Sequence, residues 1–165
     1  MILTPHAIVG AAVANLVPNE PVLGFVFAFL SHYVLDMIPH KDYDINSFMD
    51  KKTRTVVSIF KSSAAALKLI FIIFEAIGAL ILCFLIFVRD EKSAAITLIG
   101  IIGAWLPDFF QLLYYSFKKQ PFIFFQRLHD KIGHDIEDKK YIWLGISIQV
   151  FISIFVLVVY FIIKK

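Results

Sequence analysis

The sequence predicts an all-α membrane protein: a polytopic helix bundle with about four transmembrane helices, a short N-terminal helix and an interfacial helix. Three observations carry that expectation. Hydrophobic residues make up 59% of the chain and the mean hydropathy is +0.80, whereas a soluble domain is usually about 45–50% apolar. Phe occurs 18 times in 165 residues. Several apolar runs have the roughly 20-residue length that carries a helix across a bilayer core of about 30 Å. The same figures exclude a disordered chain, a small secreted disulfide scaffold and an ordinary cytosolic enzyme. The lone Cys83 has no partner for an internal disulfide and reads as an inert membrane residue.

Four runs are candidate spans, and residues 1–165 form a single membrane-embedded helical domain. Pro21–Leu35 holds no formal charge apart from the titratable His32, and Asp36 ends it. Leu69–Val88 carries one charge, Glu75; Ser93–Phe117 carries one, Asp108; Tyr141–Ile163 carries none. Pro5–Leu16 is apolar but extends only about 18 Å as a helix, so it is expected to be short or re-entrant and packed on its neighbour. Thr4 is expected as its N-cap, with Pro5 at the first helical position. Pro18 and Pro21, around Asn19-Glu20, make a tight connection. No basic residue precedes the first apolar run and no small-residue cleavage site follows, so a cleaved signal peptide is not expected. Thr55–Leu67 reads as an amphipathic lead-in to the third long run. Pro121–Ile136, with Phe125, Leu128, Ile132 and Ile136 on one stripe, reads as a helix lying in the interface plane. Trp105 and Trp143, with Tyr114, Tyr115 and Tyr141, read as belt residues.

The basic residues divide unevenly. Lys41, Lys51, Lys52, Arg54, Lys61 and Lys68 fall in one loop region, and Lys118, Lys119, Arg127, Lys131, Lys139 and Lys140 in another. Only Arg89, Lys92, Lys164 and Lys165 fall on the opposite side. The positive-inside rule then places both long loops in the cytoplasm, of a bacterial inner membrane in this reading. The net charge of +3 and the lack of a basic stripe argue against a nucleic-acid partner.

Ionisable groups in or beside a span are costly and mark function. His32 and Asp36 stand at i and i+4, on one helix face, and an imidazole with a carboxylate at that spacing can share a borderline metal ion. Pro39 ends that helix and sets His40 just beyond it, followed by Asp42 and Asp44. Asp108 follows Pro107, which removes a backbone hydrogen bond and is expected to kink its helix. His6 opens the short first helix, His129 shares the apolar face of the interfacial one, and Asp130 and His134 form a second i, i+4 pair. With both basic loops on one side, all these groups come to one face of the bundle, and Glu75 reaches it from about 12 Å deeper. Asp42, Asp44 and Asp130 read as solvated loop charges.

Thr4-Pro5-His6 followed by Gly10, then Leu30-Ser31-His32-Tyr33-Val34-Leu35-Asp36, Leu106-Pro107-Asp108 and a His-rich segment, resemble bacterial membrane-bound metal-dependent hydrolases, a group that looks distantly related to zinc-dependent phospholipase C. The resemblance implies an all-helical core with metal ligands drawn from several helices. His32, Asp36 and Asp108 match best, His6 by its place ahead of a glycine, and His129 with His134 loosely. Here the Leu-Pro-Asp block follows the Ser-His-x3-Asp block, whereas the family often has the reverse order.

The expected activity is a metal-dependent hydrolase at the cytoplasmic membrane face, acting on a phosphodiester or ester bond of a lipid. One or two divalent ions, zinc by ligand type, would be held by His6, His32, Asp36, Asp108 and His129. Glu75 or Asp36 would take the proton. The alternative is a metal-binding membrane protein without hydrolysis, a small transporter or an assembly factor; it would need polar groups along a path through the bilayer rather than at one level.

Overall fold

The computed structural model describes residues 2–43, 63–134, 136 and 138–165. Its elements are helices: α1 (Leu3–Leu16), α2 (Pro21–Asp36), α3 (Ser63–Phe87), α4 (Glu91–Phe117), α5 (Phe122–Ile132) and α6 (Ile142–Ile163), with a 3-10 turn at Lys139–Tyr141. Three segments are long and apolar enough to cross a membrane: Ala66–Phe87, Glu91–Phe117 and Ile142–Ile163. α2, counted among the spans from its composition, has 16 residues, about 24 Å of helix. Local chemistry sets that length: Pro21 stands in its first turn, and Pro39 follows three residues beyond its end. The three long helices fit a membrane protein, and their outward faces agree, since Phe74, Leu85 and Trp143 are each more than 70% exposed. A water-soluble domain rarely leaves so much contiguous apolar surface bare.

α1 is the centre of the bundle. It packs against α2, α3, α4 and α6, and ten of its 14 residues are buried. A helix that is apolar all round belongs inside. Its small side chains let other backbones come close: a Cβ placed on Gly10 would fall 2.5 Å from both the Gly100 carbonyl oxygen and Ala104 Cβ on α4. Small residues at such crossings are how membrane helices gain van der Waals contact without a hydrophobic drive. Asn15, buried in the same helix, donates to Thr97 Oγ1 of α4 at 2.9 Å and so satisfies its amide.

The ends of the elements differ in places from the sequence expectation. Helix α1 starts at Leu3 with Ile2 before it, so Thr4 lies in the first turn and is not the N-cap. An acceptor on another helix takes up its donors, as described below. Asp90 and Ser93 form a capping box at the start of α4, which runs on as helix through Pro107 to Phe117. Helix α5 stops at Ile132, before Gly133; Ile136 therefore leaves the predicted stripe, and its N–H donates to the His40 carbonyl at 2.7 Å. Thr55 to Ser62 of the amphipathic lead-in, the basic residues Lys51, Lys52, Arg54 and Lys61, and Asp44 lie outside the described residues.

Candidate metal centre

Four elements deliver side chains to one point. His6 comes from the first turns of α1, and His32 and Asp36 from the last turns of α2. Asp108 comes from α4, one turn past Ala104, and His129 from α5. The Gly10 crossing holds α1 against α4, and the α1–α2 hairpin returns the end of α2 beside the start of α1. His6, His32 and Asp36 are each no more than 1% exposed. His129 is 12% exposed and Asp108 24%, so the cluster opens on the side of those two residues.

Asp36 is the hub. Its Oδ1 lies 3.3 Å from His6 Nε2 and 3.7 Å from His40 Nε2. Its Oδ2 lies 3.0 Å from His32 Nε2 and 3.3 Å from His129 Nε2. Asp108 Oδ1 stands 3.5 Å from His32 Nε2 and 3.9 Å from His129 Nε2. The buried Nε2 atoms of His6, His32 and His129 make no good hydrogen bond among the described residues despite these short separations. Buried polar atoms are nearly always satisfied, and exceptions need an explanation. For His32 the other side of the ring supplies one, whereas His6 Nδ1 has no hydrogen-bond partner among the described residues and His129 Nδ1 faces the Gln111 amide nitrogen at 3.4 Å. His32 Nδ1 meets the Ala104 carbonyl at 2.7 Å, and His40 Nδ1 meets the Ile38 carbonyl at 2.8 Å. A carbonyl can only accept, so each Nδ1 donates, and in the neutral ring Nε2 is then the lone-pair nitrogen. That is the orientation by backbone partners seen around metal-ligating histidines. These buried groups could hold a metal ion, in two triads whose donor atoms lie within 4.8 Å of one another: His6, His32 and Asp36, and His32, Asp108 and His129.

Electrostatics also act on the interfacial helix. Burial pulls the His129 imidazole down, but the Asp36 carboxylate, with help from Asp108, overcomes it and holds the ring above the usual histidine value. A proton and a metal ion therefore compete for the His129 ring beside Asp36.

The remaining predicted residues fall elsewhere. Glu75 Oε1 accepts from Thr4 N at 2.8 Å and from Thr4 Oγ1 at 2.6 Å, so this carboxylate caps the first turn of α1 from α3. Its Oε2 is buried with no hydrogen-bond partner among the described residues. His134 is exposed, beyond the end of α5, with Nδ1 on the Ile132 carbonyl, and the expected pair with Asp130 is replaced by Gln126 donating to Asp130 at 2.6 Å. Trp105, read as a belt residue, donates from Nε1 to the Leu3 carbonyl at 2.9 Å inside the bundle.

Several residues that build the site carry little signal in the sequence. His40 is 1% exposed. The segment after α5 covers it, through His40 N to the His134 carbonyl at 3.1 Å and Ile136 N to the His40 carbonyl at 2.7 Å. Gln149 of α6 is fully buried; it accepts from Ile2 N at 3.2 Å and donates to the Lys41 carbonyl at 2.9 Å. It thereby ties the start of α1 to the segment that carries His40. An uncharged amide within an apolar span was the available signal for Gln149. No family model, curated protein or solved structure matches this chain.

Proposed function

We propose that the chain is an integral protein of the bacterial inner membrane that holds zinc at its cytoplasmic side and hydrolyses a phosphodiester or ester bond of a lipid. What supports the metal reading most is one arrangement: the Nε2 atoms of three buried histidines converge within 3.3 Å of one carboxylate without good hydrogen-bond geometry. A bound cation would satisfy all of them. Neutral imidazole and carboxylate donors suit zinc better than calcium or magnesium, which take oxygen. A divalent ion in such a site polarises a phosphoryl or carbonyl oxygen and lowers the pKa of bound water.

The residues divide the work accordingly. His6, His32 and Asp36 lie deepest and would anchor the metal. Asp108 and His129 line the open side and would meet the substrate first. Asp108 is therefore the carboxylate best placed to take a proton from water, in preference to Glu75, which is engaged with Thr4. The cytoplasmic assignment follows the placing of 12 of the 16 basic residues in the two long loop regions. The sequence resemblance to membrane-bound metal-dependent hydrolases agrees with this reading.

Zinc content, measured by mass spectrometry on detergent-purified protein prepared without chelator, tests the metal reading. The same preparation is screened against phosphodiester and ester substrates. The reading expects bound zinc and metal-dependent turnover in wild type, and loss of both in His32→Ala and Asp36→Ala. Equal metal content in all three proteins would reject the site. Zinc without turnover on any substrate would favour the non-catalytic alternative.

A further inference from the structure

The donor atoms of the cluster sort themselves around the two oxygens of Asp36. On the Oδ1 side stand His6 Nε2 and His40 Nε2, at 3.3 and 3.7 Å. On the Oδ2 side stand His32 Nε2 and His129 Nε2, at 3.0 and 3.3 Å, with Asp108 Oδ1 3.5 Å beyond His32 Nε2. Four imidazoles and two carboxylates exceed what one zinc ion binds, since zinc almost always takes four ligands in structural sites and three from protein in catalytic ones. The two triads share His32, but its Nε2 has a single lone pair and bonds a single ion. Asp36 alone offers one oxygen to each side.

We infer that the cluster is a two-ion centre bridged by Asp36, which deepens the metal reading above and rests on it. One divalent ion takes His6, His40 and Asp36 Oδ1. The other takes His32, His129 and Asp36 Oδ2, which leaves Asp108 Oδ1, 3.5 Å from His32 Nε2, beside it as the base. His40 is thereby a ligand rather than a bystander, and its setting fits that role: it is 1% exposed, its Nδ1 is fixed on the Ile38 carbonyl, and its backbone is paired with His134 and Ile136. A surface histidine just past a helix end has no reason to be held so firmly.

The bridge also bears on the substrate. Two carboxylates balance half the charge of two divalent ions, and the remainder must be met by what binds there. An anionic group such as a phosphodiester fits that remainder better than a neutral ester. Paired ions are suited to clamp both the attacking and the leaving oxygen of a phosphoryl displacement.

The test is metal stoichiometry on the full chain in detergent, with circular dichroism to confirm helical content. Wild type is expected to carry two zinc ions per chain, and His40→Ala and His129→Ala one each. A reading on wild type needs no variant to fold: after loading with Mn(II), the electron paramagnetic resonance spectrum should show two exchange-coupled ions. One ion per chain in wild type, undiminished in His40→Ala, would overturn the two-ion centre and leave the single-metal reading standing. Two ions with uncoupled spectra would overturn the bridge. No bound metal in wild type would overturn both the inference and the reading beneath it.

Discussion

His6 and His32 stack face to face, with ring centroids 4.0 Å apart and planes inclined by 18°. One ring belongs to α1 and the other to α2, and both are fully buried. The contact makes the two helices one unit: a shift of α1 along its axis moves His6 off its partner and away from Asp36. What holds α1 therefore also holds the candidate metal centre.

The Gly10–Gly100 crossing is the first such hold. Gly10→Ala would push a methyl group to 2.5 Å from the Gly100 carbonyl oxygen and Ala104 Cβ, and overpacking of this kind costs about 1–3 kcal/mol. Because Ala104 carries the carbonyl that orients His32, metal affinity should fall together with stability. Gly78→Ala is the control, since a Cβ there meets nothing within 4 Å; it should leave both unchanged or raise stability slightly. Thermal unfolding in detergent and zinc titration check the pair.

Glu75 is the second hold. Glu75→Ala strips the acceptor from Thr4 N and Thr4 Oγ1, and a buried donor left without a partner costs about 1–3 kcal/mol. Glu75→Gln keeps an oxygen that can accept both bonds, so it should retain metal content, fold and any turnover. Loss of hydrolysis in Glu75→Gln with metal intact would show instead that the carboxylate handles a proton.

Gln149 is the third. Gln149→Leu keeps approximate volume but breaks the links to Ile2 N and the Lys41 carbonyl. Two backbone groups lose partners, so destabilisation of about 1–3 kcal/mol is expected from each desolvated group, with loosening of the neighbouring His40. Gln149→Glu, which still accepts from Ile2 but cannot donate to Lys41 when ionised, should fall below wild type as well. Detergent-resistant thermal unfolding and zinc content are the measurements.

Much of the cluster was legible because its information is local. The i, i+4 spacing of His32 and Asp36 fixes a shared helix face, and loop charge brings the ends of α2 and α4 to one side. The helical class follows from apolar runs alone. What the sequence hides depends on partners distant along the chain. Glu75 reads as a candidate base, and only the fold shows that one of its oxygens holds Thr4, 71 residues away. Trp105 has the composition of a belt residue, and only the Leu3 carbonyl at 2.9 Å explains its inward placement. His40 lies just past Pro39, and what fixes it there is backbone pairing with His134 and with Ile136, more than 90 positions on. Helix α5 ends at Ile132, with Gly133 already in extended backbone, although the apolar stripe continues to Ile136.

The most direct measurement is zinc bound per chain in detergent-purified wild type and in Asp36→Asn, which keeps the size of the hub residue but removes its charge. Wild type is predicted to hold zinc through dialysis, while Asp36→Asn, similarly helical, loses it, with affinity down by more than the roughly 10–100-fold that even an outer partner of a ligand costs. A folded wild type without metal, or an Asp36→Asn protein that binds zinc as wild type does, would contradict the account.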